Sequence, residues 1–499
     1  MAKAKTPSFV VEQKIETLPS DEFFLEKKFF ACQKIYNTAV KYCRQKTAEL
    51  YEDVWYQHCL DRFKNAPDSE KKQWAEEIYA LMQIYGLTEY GIHAFMGKQK
   101  VAAFGRSIGI NIVQKQGTSL YHGVKKAVFR GTKIHFRKKG QTTSFEDKVS
   151  TMGIIYKDNG TVKIMGRTMK VKDVRPNDRY QQEALTHKVK YCRVVRKPFR
   201  NGYKYFLQLV LEGTPPKKHK LGEGLCGADQ GTSTLAFYNN KESDFVVLAD
   251  GVKPYNKEIQ KWATVFERRR RLNNPECYNA DGTIKKGAKF KYTKGCYKAL
   301  MQLKNAYRLK SAYVKQQHNI LANRILEACD TLIKEPMNFK ALQRRSKKME
   351  KQDKISTITK KDGTSIQVQK YKKKKRFGKS LQNRSPGLFN QILKNKFKQY
   401  EGTIIEVESK TYKASQYDHT TELPTKSKLS ERTKYIGEHL VQRDLYSAFL
   451  LCCMKDVKHI DFNRCNELFE DFLTEQEAIV NRIKQTGDTT KNFGIRSFA

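Results

Sequence analysis

The chain has 499 residues, of which 39% are hydrophobic and 11% aromatic, enough to build packed cores and too many for a mainly disordered chain. Lys and Arg total 96 against 52 Asp and Glu, a formal net charge of +44. Such an excess repels itself unless a polyanion takes it up, which points to nucleic acid, whose phosphates release counterions to Lys and Arg. An anionic membrane is the other sink for this charge, but the longest apolar run, Ala448 to Met454, is far short of a spanning helix. Residues Met1 to Gln13 hold no apolar signal-peptide core. A soluble intracellular protein is expected, with no membrane partner. None of the eleven Cys forms a CxxC pair, which suits buried thiols in a reducing compartment better than disulfides or zinc.

In chain order, Ser8 to Glu16 ("SFVVEQKIE") alternates as a strand does. From about Leu18 the period becomes helical, with Ser20 and Asp21 as cap candidates and apolar Phe24, Phe30, Ile35, Tyr36, Ala39 and Tyr42. Helical patterning continues to about residue 130. Four alternating runs follow: "TKIHFRKKG" (Thr132 to Gly140), "TVKIMGRTMKV" (Thr161 to Val171), "VKYCRVVRKPF" (Val189 to Phe199) and "YKYFLQLVLEG" (Tyr203 to Gly213). They predict strands of a barrel or small sandwich. If the N-terminal strand joins them, the helices are an insertion into that β module. "GTPPKKHKLGEG" (Gly213 to Gly224) reads as a linker.

Beyond it, "LCGADQG", "STLAFYN" and "DFVVLADG" predict three successive strands between Leu225 and Gly251. A charged helical region spans about 257–330, broken near Asn273 to Gly287, and "DTLIKEPMNF" (Asp330 to Phe339) predicts a buried strand. Residues 341–380 carry 15 Lys or Arg against three acids. A helix from Pro386, a strand from Thr403, a loop region over 410–440 and a helix over Gln442 to Asp456 follow, then a polar tail after about Thr486.

Three acids sit in apolar settings: Asp229 at a strand end, Glu335 closing a strand before Pro336, and Asp444 at a helix start. Each alone is explained by local structure, as a turn acid, a strand-closing acid and a dipole-favoured helix acid. Together, in this element order, they fit an RNase H-like arrangement in which the acids converge at one end of a central sheet. Three converging carboxylates repel one another and need cations. Two Mg2+ ions about 4 Å apart would satisfy them and activate in-line attack on a phosphodiester. Oxygen ligands without thiolates suit Mg2+, with Mn2+ possible. Gly231, Thr232 and Ser233 are placed to turn the chain tightly after Asp229 and leave it open.

The chain resembles the transposon-encoded TnpB nucleases and their descendants, the compact type V CRISPR effectors. The resemblance rests on "GADQGTSTLAF", "IKEPMNFKALQRR" and "VQRDLYSAFLL" as the three RuvC motifs. It extends to "ACQKIYNTAVKYC", "YKYFLQLVLEGTPPKK", "KKRFGKSLQNRSPGLFNQILKNK" and "KASQYDHTT", and so covers most of the chain. It implies a multidomain α+β fold: a wedge-like β-barrel with a helical recognition insertion, followed by an RNase H-like (RuvC) α/β nuclease domain. The expected division is residues 1–19 for the first barrel strand, 20–130 for the helical module and 131–220 for the rest of the barrel. Residues 221–409 would hold the first two nuclease motifs, 410–440 a degenerate zinc-ribbon loop, 441–485 the third motif and C-terminal helices, and 486–499 a disordered tail.

The function implied is an RNA-guided, Mg2+-dependent DNA endonuclease. It would bind a guide RNA, read a short motif beside a double-stranded DNA target, and cut at a single site whose metal ligands are Asp229, Glu335 and Asp444. An unguided RNase H-like transposase or resolvase, and a nuclease-dead RNA-guided repressor, are the alternatives. Many relatives carry a CxxC…CxxC ribbon where this chain has Asp418 and Thr421, then "YIGEH". No zinc is expected there, with His419 read as a surface histidine. Tyr446 stands where many relatives have Asn. Candidate phosphate contacts are Arg268, Arg269, Arg270 and Arg271; Arg344, Arg345, Lys347 and Lys348, directly after the second motif; and Lys372, Lys373, Lys374, Lys375 and Arg376. Phe29, Phe30, Tyr36 and Tyr42 are read as core rather than base-stacking residues.

Overall fold

The computed structural model describes residues 6–138, 140–343, 351–359, 364–371, 378–425, 431–486, 493–494 and 498. The chain divides into two compact units, Met1–Pro216 and Lys217–Ala499.

The first unit contains β1 (Ser8–Glu16), α1 (Pro19–Glu52), α2 (Val54–Asn65), α3 (Lys71–Ile84), α4 (Glu89–Phe104), α5 (Ile110–Arg130), β2 (Ser144–Glu146), β3 (Ile154–Lys157), β4 (Thr161–Ile164), β5 (Arg167–Val171), α6 (Arg179–Ala184), β6 (Val189–Phe199) and β7 (Gly202–Glu212). Its seven strands form one sheet in the order β2-β6-β7-β1-β5-β4-β3. β1 pairs antiparallel with β7 from Ser8↔Glu212 to Lys14↔Phe206, so the helices α1–α5 are an excursion between two neighbouring regions of one sheet. β3 returns against β6 and curls the sheet toward a barrel. Helices and sheet share one core, in which Phe29, Ile35 and Val40 of α1 join Phe145, Leu207 and Leu209.

Four expectations are corrected here. Residues 132–138 form no strand, because their backbone groups bond to α1 side chains and not to a ladder. Asn37 accepts from the Arg137 N–H at 2.8 Å, while Gln33 and Asn37 donate to the Arg137 carbonyl and Arg44 to that of Ile134. "TVKIMGRTMKV" is two strands, since Met165 and Gly166 both take positive φ (47° and 92°) and turn β4 into β5. The cap of α1 is Leu18, whose N–H donates to the Asp21 carboxylate at 2.9 Å. Phe29 and Tyr36 are core, but Phe30 is 51% exposed.

The second unit contains β8 (Leu225–Gln230), β9 (Thr234–Tyr238), β10 (Asp244–Val247), α7 (Lys253–Leu272), α8 (Lys294–Ala328), β11 (Thr331–Lys334), α9 (Phe339–Leu342), β12 (Lys351–Thr359), β13 (Ser365–Tyr371), α10 (Gly378–Arg384), α11 (Pro386–Tyr400), β14 (Thr403–Glu406), α12 (Ser409–Tyr412), β15 (Tyr417–Asp418), β16 (Leu423–Pro424), β17 (Thr433–Ile436), β18 (His439–Gln442), α13 (Arg443–Cys452) and α14 (Phe462–Gln485). Its central sheet runs β10-β9-β8-β11-β14. β10, β9 and β8 are antiparallel, whereas β8, β11 and β14 are parallel.

Strand alternation divides the sheet's residues between two cores. Cys226, Ala228, Leu235, Phe237 and Leu332 face α8 and α11, which contribute Ile325, Leu326, Phe389 and Phe397. Ala236, Tyr238 and Ile333 face α13 and α14, which contribute Leu445, Phe449, Phe469 and Phe472. The predicted loop over 410–440 holds two short hairpins, β15–β16 and β17–β18. All eleven Cys are buried and unpaired. No helix of the described residues is long and apolar enough to cross a membrane.

Gly227 sets how close α13 lies to β8. A Cβ there would stand 2.9 Å from the Leu451 carbonyl carbon and closer still to Ala448 O and Cys452 N. These are backbone atoms of a helix and cannot swing aside. Gly227→Ala is therefore expected to destabilise the chain by about 1–3 kcal/mol or more, read as a lower midpoint in thermal or urea unfolding.

Candidate carboxylate site

Asp229 is the fifth residue of β8, two after Gly227, and so lies on the same face of the sheet as the α13 contact. It is not the strand's last residue: Asp229 pairs with Ala236 and Gln230 with Leu235 before the turn. Gly231 N–H donates to Thr234 O at 3.0 Å to close that turn, and Ser380 Oγ donates to Thr232 O at 3.2 Å.

Glu335 follows directly on β11. Ile333 is in register with Gly227, and both face α13, so Glu335 falls beside Asp229 on the neighbouring strand, roughly 4.8 Å away across the ladder. The Ala414 backbone N–H donates to the Glu335 carboxylate.

Asp444 lies in the first turn of α13, whose N-terminus is capped by Gln442 accepting from Leu445 N–H at 2.7 Å. The helix runs antiparallel to β8: Cys452 lies at Leu225 and Ala448 at Gly227. One turn earlier is Asp444. A turn advances about 5.4 Å and two strand residues about 6.7 Å, so this step carries Asp444 to the level of Asp229. Three acids from distant parts of the chain thus meet at one end of the sheet.

The electrostatics reflect that meeting. Burial raises the Asp229 carboxyl well above its ordinary range, and the Asp444 and Glu335 charges raise it further, against the opposing pull of Arg443 and Arg432. Burial also raises Glu335, partly offset by the Ala414 N–H. Arg443 donates to Asp444 Oδ1 from Nε (3.2 Å) and Nη2 (3.1 Å), and Arg432 Nη1 lies 3.5 Å from Asp444 Oδ2. The Arg443 backbone N–H donates to Arg432 O at 2.9 Å, holding the two arginines side by side. As a donor set, three carboxylates with no thiolate fit a hard divalent cation. Their present spacing does not close around one ion: among the described residues, no three His, Cys, Asp or Glu side chains are grouped to hold a metal.

Arg432, Arg443 and Lys434 escaped the sequence reading. Lys434 donates to Tyr417 O at 2.6 Å and stands 4.2 Å from the centre of the Tyr446 ring, and burial pushes its ammonium down to about 8. The Arg-Asp pair of "VQRDLYSAF" was visible, but nothing in the sequence marks Arg432 as its neighbour.

His419 is not at the surface. It is 2% exposed, and its backbone N–H (3.1 Å) and Nδ1 (2.6 Å) both bond to the Tyr446 hydroxyl. Its ring packs edge-on to Phe469 at 4.5 Å. The segment read as a degenerate zinc ribbon is therefore pinned to α13 and α14 by a histidine–tyrosine pair inside an aromatic cluster. Tyr446 supports that pin.

Of the basic candidates, Arg268 is exposed on α7. Arg269 donates to Gly295 O at 2.7 Å, Arg270 to the Tyr278 hydroxyl at 3.0 Å and Arg271 to Gly282 O at 3.1 Å. Arg270 and Arg271 also pair with Glu267. These three brace the excursion between α7 and α8. Arg344, Arg345, Lys347, Lys348, Lys372, Lys373, Lys374, Lys375 and Arg376 lie outside the described residues.

No family model matches the chain, and no curated protein matches it. Among solved structures, it is similar to a cryo-EM structure of a Cas12f1–sgRNA–target DNA complex, at 11% identity and TM-score 0.44 over 89% of this chain and 98% of that one. It is also similar to a cryo-EM structure of a CRISPR-Cas12f ternary complex, at 13% identity and TM-score 0.26 over 86% of this chain and 82% of that one.

Burial lowers the His419 imidazole below its ordinary value of 6.5 and keeps it neutral in the fold. The unfolded chain then takes up protons first as pH falls. His419 therefore contributes stability that is complete above pH 6.5 and declines below it, a trend that buried His318 reinforces. Urea unfolding from pH 7.5 to 5 is expected to show the midpoint falling below about pH 6.5, and Tyr446→Phe to lower the unfolding free energy at every pH by about 1–3 kcal/mol, because His419 loses its partner.

Proposed function

We propose that the chain is an RNA-guided DNA endonuclease with a single active site formed by Asp229, Glu335 and Asp444. The observation that carries this reading is the convergence of the three acids at one end of the β10-β9-β8-β11-β14 sheet, where the charges of Asp444 and Glu335 add to burial in raising the Asp229 carboxyl. The sheet order, three antiparallel strands followed by two parallel ones, supports an RNase H-like (RuvC) nuclease domain. The net charge of +44 supports polyanionic partners, here a guide RNA and a double-stranded DNA target.

Asp229, Glu335 and Asp444 would hold Mg2+ or Mn2+, which when bound supplies positive charge against the acids and the reacting phosphodiester. The half-buried sheet end limits water around the carboxylates and strengthens each interaction there. Arg432 and Arg443, now paired with Asp444, are placed to take the negative charge of a phosphate that approaches Asp444. Lys434 of β17 donates to Tyr417 O beside the pinned His419, which ties β17, and with it Arg432, to that anchor.

A second reading, an RNA-guided binder that does not cut, is favoured by one observation: Asp444 is engaged by two arginines and the acids do not close around one ion. One experiment separates the two. Asp229→Ala is expected to reduce Mg2+-dependent cleavage of guide-matched DNA to background while RNA and DNA affinity stays within a few-fold of the parent. A parent chain that binds guide and target and never cuts would favour the binder, and full-rate cutting by the Asp229→Ala variant would remove Asp229 from the site.

A further inference from the structure

A second site, unrelated to the acids, lies in the first unit. A polar cavity of about 280 Å3 opens between α5, the segment before β2, and β6. That is near the lower end of the roughly 300–1,000 Å3 usual for small-ligand sites. Its walls include Lys115, Gln116, Ser119, Arg137, Thr142 and Arg193, and Glu146 is the one acid among them. Glu146 is already engaged, by Arg193 at 2.5 Å and Lys115 at 3.6 Å.

Arg137 is the remaining cation. Its guanidinium lies flat on Tyr36, 3.6 Å from the ring centre, and its donors go to the neutral groups Gln116 Oε1 and Ser119 Oγ. Burial lowers its proton affinity, and no carboxylate is among the groups that raise it. A half-buried positive charge with no anion facing it is an incomplete arrangement.

Thr142 is an independent sign. It is 2% exposed, lines the cavity, and its hydroxyl has no hydrogen-bond partner. Native folds rarely leave such a group unsatisfied. Nor is it there by slack in the chain. The Thr142 carbonyl accepts from Arg196 Nε at 3.1 Å and the Thr143 carbonyl from Arg196 N–H at 2.9 Å. Arg196 is itself 5% exposed, paired with Glu26 and stacked on Phe29 and Tyr203.

We infer that this cavity binds one backbone phosphate of a nucleic acid, with Arg137 supplying the charge and the Thr142 hydroxyl a hydrogen bond to a phosphate oxygen. Both are free of acids, both are held rigidly, and they share one cavity. A tetrahedral oxyanion would supply an anion to the guanidinium and an acceptor to the hydroxyl. The inference rests on nucleic acid being the partner, and does not depend on cleavage.

The test is a salt titration of binding for the full chain and two variants, Arg137→Gln and Thr142→Val, with three probes: a short labelled single-stranded RNA, a DNA duplex of the same sequence, and inorganic phosphate as competitor. Arg137→Gln is expected to weaken polynucleotide binding and to lower the slope of log K against log salt by about 1. Thr142→Val removes only an unpaired hydroxyl. It is expected to weaken binding while leaving the melting temperature unchanged or raised, a divergence that a structural role would not produce. Loss confined to the RNA probe places the guide in the cavity, and loss confined to DNA places the target there. Wild-type affinity and slope in both variants, or an effect on inorganic phosphate alone, would overturn the inference. A parent chain that binds neither polynucleotide would overturn the nucleic-acid reading itself.

Discussion

The carboxylate end of the second unit depends on Gly227 having no side chain. Without a Cβ, the backbone of α13 lies directly on β8. That approach fixes the helix's height and direction together, because Ala448 and Cys452 touch successive odd positions of the strand. The helix start then falls over Asp229, and Asp444 with it. Glu335 needs no separate device, since parallel register with β8 brings the end of β11 to the same level. One steric constraint and one ladder thus assemble three acids that are more than a hundred residues apart in the chain at each step.

That assembly works against the fold. Burial and mutual repulsion both oppose ionisation of Asp229. The chain offsets this with Arg432 and Arg443, side by side on Asp444, and with the Ala414 N–H on Glu335. Arg432 and Ala414 come from the region between β14 and α13, which the His419–Tyr446 pair anchors to the aromatic cluster, and Arg443 is the first residue of α13. Hydrogen bonding and ring packing hold that anchor, and because His419 is kept neutral by burial its strength depends on pH.

Much of this was legible in the residues. The strand period of "LCGADQG" and "TLIKE" placed two acids at matching ends, and the apolar stripe of "LYSAFLL" placed a third at a helix start. What was not legible depended on long-range partners. Residues 132–138 alternate like a strand, but their backbone bonds go to Gln33, Asn37 and Arg44, which no local pattern announces. His419 reads as a loop histidine until Tyr446, 27 residues on, is seen to meet it. The run of arginines at 268–271 reads as a phosphate clamp, yet Arg269, Arg270 and Arg271 brace a neighbouring excursion through contacts that composition cannot reveal.

The account's central claim is that the three acids form one metal-holding site. Anomalous diffraction from crystals of the chain with guide RNA and target DNA, soaked in Mn2+, tests it most directly. The account predicts anomalous density in contact with Asp229 and shared with Glu335 or Asp444, with Arg432 or Arg443 drawn off Asp444. An absence of density at Asp229, with both arginines still paired to Asp444, would contradict it.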